Sequence, residues 1–284
     1  MCATRIGCAE TRRRGISERR KTIISTLTRW ILLASIALCA LASGARAAEV
    51  PVIAAASDLQ YALPEVADAF TRASGHALKL TFGSSGNFTR QIAQGAPYQL
   101  FFSADEAYVQ DLNARGFAPD AGVLYAIGRL ALFVPRGSPV KADAQLDDIG
   151  AALGDGRLKT MAIANPEHAP YGRAARAALM HKGLWQQLQG HLVLGENISQ
   201  AAQFAASGSA QAGLIAYSLA LAPRMQQAGT YVLVPAQWHE PLRQRMVLLK
   251  GAGEVARQFY AFAQSPAARA IFEKYGFALP AAAH

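Results

Sequence analysis

The chain has 284 residues, a hydrophobic fraction of 52% and a formal net charge of +9 at pH 7. This length excludes a minimal domain and leaves room for two lobes, each with its own apolar core. The positive charge is unevenly placed, because residues 1–47 hold nine of the 28 basic residues and two of the 19 acidic ones.

Residues 1–47 have the features of a secretory signal peptide. An arginine-rich stretch precedes an apolar run at 30–42, and Ala45-Arg46-Ala47 is a small-x-small cleavage site. The run is shorter than the roughly 20 residues that cross a bilayer as a helix. We therefore predict cleavage near Ala47 and release of a soluble protein into the periplasm, by an export route that the sequence leaves open.

Removal of residues 1–47 changes what the remaining chain can be. It leaves 19 basic and 17 acidic residues, a net charge of +2, so the high pI does not indicate nucleic-acid binding. All three cysteines (Cys2, Cys8 and Cys39) are removed with the segment. A disulfide scaffold, a zinc–cysteine site and a cysteine nucleophile are therefore excluded.

The first part of the remaining chain alternates short apolar runs with helical patterns. Runs at 52–56, 78–82 and 100–102 predict strands, and a Ser, Gly or Asp that is typical of helix N-termini follows each one. Gly75 is expected to end the first helix, and Pro64 implies that this helix begins late or is kinked. Such alternation favours a parallel α/β architecture.

The rest of the chain continues this alternation. Further strands are predicted near 129–134, 161–164, 192–194, 214–215, 230–234 and 245–249, with helices at 172–182, 199–206, 253–264 and 267–275. We expect two lobes, each a mostly parallel sheet flanked by helices: 48–127 begins lobe 1, 128–235 forms lobe 2, and 236–284 returns to lobe 1. A chain that crosses twice between lobes forms a hinge, with the ligand site in the cleft.

Polar residues at the predicted helix starts suggest an anion site. The first turn of a helix leaves N–H groups without partners and carries a partial positive charge, so several such ends converging on one cleft can bind an anion. Ser57, Ser84 or Ser85, and the turn at 103–105 supply such starts in the first lobe. The alternative is that each serine only caps its own helix.

Several short motifs resemble, in order and spacing, the periplasmic molybdate-binding proteins of ABC transporters. They are 54-AAAS-57, 83-GSS-85, 95-GAP-97, 100-LFFSAD-105, 166-PEHAPYG-172, 196-ENI-198, 213-GLIAY-217 and 271-IFEKYGF-277. The resemblance implies a type II periplasmic binding protein fold and capture of molybdate, with tungstate, for a membrane permease. It also implies a monomer without a cofactor or catalytic activity. The alternative is the same architecture for sulfate, phosphate or another small oxyanion.

The resemblance also implies a set of site residues. The anion would be held by the hydroxyls of Ser57 and Ser85, the backbone N–H groups of Tyr171 and Ile198, and the hydroxyl of Tyr217. Ser85 is chosen over Ser84 on alignment alone. A fully deprotonated oxyanion presents only acceptors, so uncharged N–H and O–H donors satisfy it completely.

Three further side chains lie next to the predicted donors in the sequence or in the same motifs. Tyr171 stands where some family members have a small residue; its side chain would add a hydroxyl or narrow the cleft mouth. Asp58 directly follows the first serine. A carboxylate directed inward would repel an anion, so we expect Asp58, in a helix's first turn, to face away. His168 lies in a turn with no partner at catalytic or metal-ligand spacing, so we assign it a structural capping role.

Motifs of other functional classes are missing from the sequence. It contains no GxSxG elbow, Walker loop, Rossmann fingerprint or HExxH motif. A ferric-iron cargo would call for paired tyrosines, and Tyr217 has no tyrosine beside it. Binding, rather than catalysis, is therefore the predicted activity.

Overall fold

A computed structural model describes residues 50–280 of the chain. The predicted signal peptide, its cleavage site and residues 281–284 lie outside the described residues. Within residues 50–280, no helix combines the length and the hydropathy that a bilayer span requires.

The described chain alternates strands with helices for most of its length. The strands are β1 (Val52–Ala56), β2 (Lys79–Gly83), β3 (Tyr98–Ser103), β4 (Val123–Gly128), β5 (Leu130–Pro135), β6 (Met161–Ala164), β7 (Leu192–Gly195), β8 (Ala212–Ala216), β9 (Gly229–Leu233) and β10 (Leu242–Leu248). The helices are α1 (Ala62–Ser74), α2 (Ser85–Ala93), α3 (Glu106–Ala114), α4 (Asp147–Gly154), α5 (Pro170–His181), α6 (Trp185–Leu188), α7 (Ile198–Ala206), α8 (Tyr217–Ala220), α9 (Pro223–Ala228), α10 (Glu254–Phe262) and α11 (Pro266–Lys274). Short 3-10 turns lie at Ser57–Leu59, Gln189–His191 and Ala236–Trp238.

The strands form two five-stranded sheets, one in each lobe. The lobe 1 sheet has the order β2-β1-β3-β10-β4, and the lobe 2 sheet has the order β7-β6-β8-β5-β9. The chain passes to the second sheet between β4 and β5 and returns between β9 and β10. The first connection is the single residue Arg129, and the second is residues 234–241 with the 3-10 turn Ala236–Trp238. Two short connections of this kind suit a hinge.

Both sheets are mixed, and four of the five strands in each run in the same direction. β1 pairs in parallel with β2 and β3, whereas β10 runs antiparallel to β3 and β4. In lobe 2, β6 is parallel to β7 and β8, and β5 is antiparallel to β8 and β9. The parallel strands are those followed by crossover helices, as parallel pairing requires.

The lobe 1 sheet is covered on both faces, and alternate residues of its central strands face opposite sides. Ile53 and Phe102 belong to one apolar cluster, which α1, α10 and α11 complete. Ala54 and Phe101 belong to the other, with residues of α2 and α3. Burial on both faces explains why β1 and β3 read as continuous apolar runs.

Helix ends in lobe 1 follow the local signals in the sequence. α1 starts at Ala62 and carries Pro64 in its first turn, where the missing N–H of proline costs no helical hydrogen bond. Its C-cap is Gly75, with φ at 75°. Ser84 caps α2 through Asn87 N–H, and Asp105 caps α3 through Ala107 N–H.

Lobe 2 brings α5 directly against the end of β6. Gly172, in the first turn of α5, lies so close to the backbone of β6 that a Cβ atom there would be 2.8 Å from the nitrogen of Pro166. Only glycine permits this approach. The contact sets the start of α5 at the edge of the sheet that faces lobe 1.

Candidate functional site

A small cavity lies between the two lobes. The centre of a water-sized sphere can occupy about 10 Å³ of it, and residues of both lobes line it: Ala56, Ser57, Asp58, Gly83, Ser84, Ser85, Ala104, Ala169, Pro170, Tyr171 and Ile198. A space this narrow admits only a very small solute. None of these lining residues is a lysine or an arginine.

Helix N-termini from both lobes converge on this cavity. α2 enters from lobe 1 with Ser84 as its N-cap, and α5 and α7 enter from lobe 2 with Ala169 and Asn197 as theirs. Each start follows the end of a strand in the parallel part of its sheet, and in an open α/β sheet that edge is where ligands bind. The partial positive charges of three helix ends therefore point into one enclosed space.

The two serines predicted for lobe 1 both line the cavity. Ser85 is fully buried, and its Oγ accepts the N–H of Ala104 at 3.0 Å. Ser57 lies in the 3-10 turn after β1, and its Oγ accepts the N–H of Ser199 at 3.3 Å. A hydroxyl oxygen that accepts a protein N–H keeps its own hydrogen for a further acceptor.

The two predicted backbone donors of lobe 2 line the same cavity. Tyr171 is the second residue of α5, after Pro170, and Ile198 is the first residue of α7. N–H groups at these positions have no acceptor inside their own helix. The structure thus brings together four of the five predicted residues: Ser57, Ser85, Tyr171 and Ile198.

Tyr217 is not among the residues that line the cavity. Its ring packs against Gly276, lies 5.7 Å from the ring of Tyr231, and has the guanidinium of Arg129 at 5.4 Å. It is Ser218, the next residue, that reaches across the lobes, donating its hydroxyl hydrogen to the carbonyl oxygen of Asp58 at 2.8 Å.

Asp58 does not face away as the sequence reasoning expected. It is 1% exposed, lines the cavity, and accepts a hydrogen bond from the amide Nε2 of Gln244. Its Oδ1 has no hydrogen-bond partner among the described residues. Asp58 lies in a short 3-10 turn and not in the first turn of an α-helix. Because this turn packs against both lobes, packing decides the direction of the Asp58 side chain.

The side chain of Tyr171 and the β10 residue Gln244 complete a buried polar cluster around Asp58. Gln244 Nε2 also donates to the Tyr171 hydroxyl at 3.3 Å, and its Oε1 accepts the hydroxyl of Tyr125 at 2.6 Å. The Tyr171 hydroxyl therefore points into this cluster rather than narrowing the cleft mouth. Sequence reasoning missed Gln244 and Tyr125, which carry no motif.

Burial controls the protonation of this cluster. Desolvation raises the pKa of Asp58 from 3.8 to about 6, although hydrogen bonds from Gln244 and Tyr171 act in the opposite direction. Burial, together with the nearby carboxyl of Asp58, raises the pKa of Tyr125 and of Tyr171 well above the usual range. Both tyrosines are thus neutral hydrogen-bond donors at physiological pH.

His168 connects the lobes beside the cavity. Its Nδ1 lies 3.0 Å from Ser84 Oγ, and its Nε2 lies 3.5 Å from the carboxylate of Glu196. It contacts the residue that caps α2, in keeping with the predicted structural role. Over residues 50–280, no group of three His, Cys, Asp or Glu side chains is arranged to hold a metal ion.

Further contacts hold the lobes closed around the cavity. Gly86 N–H donates to the carbonyl oxygen of His168 at 3.0 Å. Arg173 donates to the Tyr108 hydroxyl at 2.7 Å and forms an ion pair with Asp105. The two lobes are therefore in a closed arrangement, in which ligand exchange requires these contacts to open.

A larger cleft of about 370 Å³ lies next to the closed cavity. Gln60, Tyr61, Gln203, Arg224 and Met225 are among its lining residues. It faces solvent, and the starts of α2 and α5 do not reach it. The small cavity is the better candidate site because the helix ends and uncharged donors converge there.

The fold and this cavity define a class of protein: two-lobed receptors that enclose a small solute between their lobes. The family model described as bacterial extracellular solute-binding protein matches residues 51–278. The chain belongs to this family.

Relatives at higher similarity have more specific names. The molybdate-binding protein ModA of Rhodobacter capsulatus is 38% identical over 241 residues, which cover 84% of this chain and 91% of that protein. The solved periplasmic molybdate-binding protein of Azotobacter vinelandii superposes with a TM-score of 0.72 at 34% identity, over 81% of this chain and 99% of the other. These relatives confirm the resemblance predicted from the sequence motifs.

More distant structures share the fold alone. The sulfate-binding protein SubI of Mycobacterium tuberculosis superposes with a TM-score of 0.66 at 16% identity, over 80% of this chain and 85% of that chain. The architecture by itself therefore does not select the cargo.

Proposed function

We propose that the protein captures molybdate, and tungstate with it, between its two lobes and delivers the anion to the membrane permease of an ABC transporter. It acts as a monomer in the periplasm, after export and cleavage near Ala47, and it carries out no reaction on its cargo. Its relatives named as molybdate-binding proteins support this assignment.

The observation that carries the proposal is the convergence of uncharged donors on one enclosed cavity. Helix starts from both lobes and serine hydroxyls from lobe 1 line it, without a lysine or arginine among the lining residues. A bare dianion offers only acceptors, so neutral N–H and O–H donors satisfy it. Because the donors belong to both lobes, the bound anion favours the closed state.

In the proposed site, Ser57 and Ser85 donate from their hydroxyls, and Tyr171 and Ile198 donate from their backbone N–H groups. All four contact anion oxygens, and none bonds to the molybdenum atom. Tyr217 is left out because its ring packs elsewhere. Rigid helix ends select the anion by its radius, so sulfate, which is smaller, should bind more weakly than molybdate.

Calorimetric titration of the mature protein with molybdate, tungstate, sulfate and phosphate tests the proposal. We expect one molybdate or tungstate per chain and much weaker binding of the other two anions. Tight binding of sulfate or phosphate with no response to molybdate would assign a different cargo to the same architecture.

Two serine variants test the site itself. Ser57→Ala and Ser85→Ala should each weaken molybdate binding about 10-fold to 150-fold, because a hydrogen bond to a charged group contributes about 1.5 to 3 kcal/mol. Ser103→Ala is the matched control: this buried serine bonds within its own turn, to the backbone of Asp105 at 2.7 Å, and does not line the cavity. Equal affinity in all three variants would remove both serines from the site.

Export is tested separately by intact-mass measurement of the protein recovered from the periplasm. The mass should correspond to a chain that begins at Ala48. A mass that retains residues 1–47 would contradict the predicted processing.

A further inference from the structure

Asp58 is a buried carboxyl group beside a cavity that we assign to an anion. An ionised carboxylate there would face the dianion across a medium that screens charge poorly, and the repulsion would oppose binding. Its Oδ1 has no hydrogen-bond partner among the described residues, although the residue is 1% exposed. A buried acceptor that is left unpaired is costly.

The surroundings of Asp58 contain no compensating cation. On its own turn, the backbone N–H groups of Asp58 and Leu59 act to lower the pKa of the carboxyl group. From other elements, Gln244 of β10 donates to Oδ2, and the neutral hydroxyls of Tyr171 on α5 and Tyr125 on β4 lie nearby. Among the described residues, no Lys, Arg or His side chain forms an ion pair with it.

The other elements packed on this turn also supply no charge to Asp58. Ser199 of α7 donates its N–H to the Ser57 hydroxyl, and Ser218 of α8 bonds the Asp58 backbone carbonyl. Tyr217, the titratable residue of α8, packs its ring against Gly276. β2 contributes the uncharged residues Phe82 and Gly83 at its end. None of these neighbours carries an opposite charge that would favour the ionised form.

We infer that Asp58 is a specificity-determining anion contact that acts in its neutral acid form. When the dianion enters, one proton from solvent adds to the carboxylate, an O–H bond forms on Oδ1, and that O–H donates a hydrogen bond to an anion oxygen. Oδ2 keeps its bond from Gln244. This inference rests on the proposed function, and it predicts that one proton accompanies each dianion into the closed site.

The proton uptake is measurable because Asp58 has different protonation states in the unliganded and the liganded protein. Burial already raises the pKa of Asp58 to about 6, and a dianion in contact raises the pKa further because it disfavours the charged carboxylate. At neutral pH the unliganded group is mostly ionised, whereas the liganded group is protonated. Binding therefore has to draw a proton from the buffer.

The proton balance of binding differs between anions that carry their own hydrogen and those that do not. Monohydrogen phosphate carries an O–H, which an ionised Asp58 could accept without a proton from solvent. Molybdate in its fully deprotonated form brings none. Proton uptake on binding is thus a signature of a bare dianion in contact with this carboxyl group.

The test is calorimetry of the mature protein with molybdate at about pH 8, in two buffers of different ionisation enthalpy. The unmodified protein should take up about one proton per molybdate, and its affinity should fall about tenfold for each further pH unit. Asp58→Asn should bind without proton uptake and with little pH dependence. Its amide oxygen can face Gln244, and its NH₂ takes the place of the protonated oxygen.

Two further variants separate Asp58 from other groups. His168→Gln removes the titratable side chain that contacts Ser84 at the cavity rim, and proton uptake should persist in this variant. Ser103→Ala should likewise keep the uptake. Thermal unfolding of each variant verifies that it is folded.

The possible failures are distinguishable. Molybdate binding by the unmodified protein without proton uptake would overturn the role of Asp58 and leave the proposed function intact. Uptake that is unchanged in Asp58→Asn would assign the proton to another group and also overturn it. Absence of molybdate binding in every protein at every pH would instead reject the proposed function.

Discussion

Gly86→Ala should open the closed arrangement without damaging either lobe. Gly86 is the second residue of α2, and its N–H donates to the His168 carbonyl oxygen across the lobes at 3.0 Å. A Cβ atom at this position would lie 2.7 Å from that oxygen and 2.8 Å from the hydroxyl of Tyr108. Both distances are shorter than a methyl group tolerates, so closure requires the contact to give way.

The expected loss of molybdate affinity depends on which state of the protein contains the clash of the added methyl group. Inserting a methyl group into a packed contact costs about 1 to 3 kcal/mol. The collision with the His168 carbonyl oxygen applies only to the closed state, whereas the Tyr108 hydroxyl belongs to the same lobe as Gly86 and is the far end of a side chain that can turn away. In the open state the substitution favours the fold slightly, because alanine is a better helix former than glycine. The closing equilibrium therefore shifts toward the open form, and molybdate affinity should fall about 5-fold to 150-fold.

The assay is calorimetric titration with molybdate, together with thermal unfolding of the unliganded protein. Gly154→Ala is the matched control, since its added Cβ would meet nothing within 4 Å and Gly154 ends α4 in lobe 2. We expect Gly86→Ala to unfold at or above the temperature of the unmodified protein while it binds more weakly. Unchanged affinity would refute the reasoning, because it would mean that the ligand-bound state does not contain the Gly86–His168 contact.

Three further predictions follow from the contacts around the cavity. Arg173→Met removes the interlobe bonds to Asp105 and Tyr108, so molybdate affinity should fall about 1.5-fold to 5-fold, as for a partly exposed pair, and the loss measured by titration should shrink at high salt. Gly128→Ala places a Cβ against the Tyr171 hydroxyl and 2.7 Å from Gln244 Nε2, so chemical denaturation should show a free energy of unfolding lower by about 1 to 3 kcal/mol, whereas equal stability would mean that the cluster is loosely packed. Asp58→Asn should stabilise the unliganded protein by roughly 3 kcal/mol above about pH 6, because the folded-state pKa of about 6 exceeds the unfolded value of 3.8 and ionisation therefore opposes folding as pH rises through that window. The gain should vanish below about pH 4, and a gain that is constant with pH would contradict the assigned ionisation.

Local features of the fold could be predicted from the sequence because they depend on neighbouring residues. The apolar runs of β1 and β6, the C-terminal glycine of α1 and the serine at the start of α2 each act within one or two turns of chain. Strand direction is different, because an apolar run reads the same in either direction. The antiparallel placement of β5 and β10 therefore became visible only once the sheets were assembled.

Some features of the candidate site could likewise be predicted from the sequence, and others could not. Ser57, Ser85, Tyr171 and Ile198 were placed together on the strength of the family resemblance, and the structure brings all four to one cavity. Their contacts with molybdate stay a prediction, as do the lobe boundaries and the signal peptide. The residues alone indicated the individual helix starts, because a helix start depends on local sequence.

Side-chain direction around the cavity was decided by partners far away in the chain. The Asp58 side chain is held toward the cavity by Gln244, 186 positions later in the chain. The Tyr217 ring packs against Gly276, where the absence of a side chain leaves room for it. Neither pairing leaves a local pattern, because each arises when two elements pack. The sequence by itself therefore determined which elements form and where each helix starts. Tertiary packing alone decided which helix starts meet and which side chains enter the cavity, since both depend on contacts between residues distant in sequence.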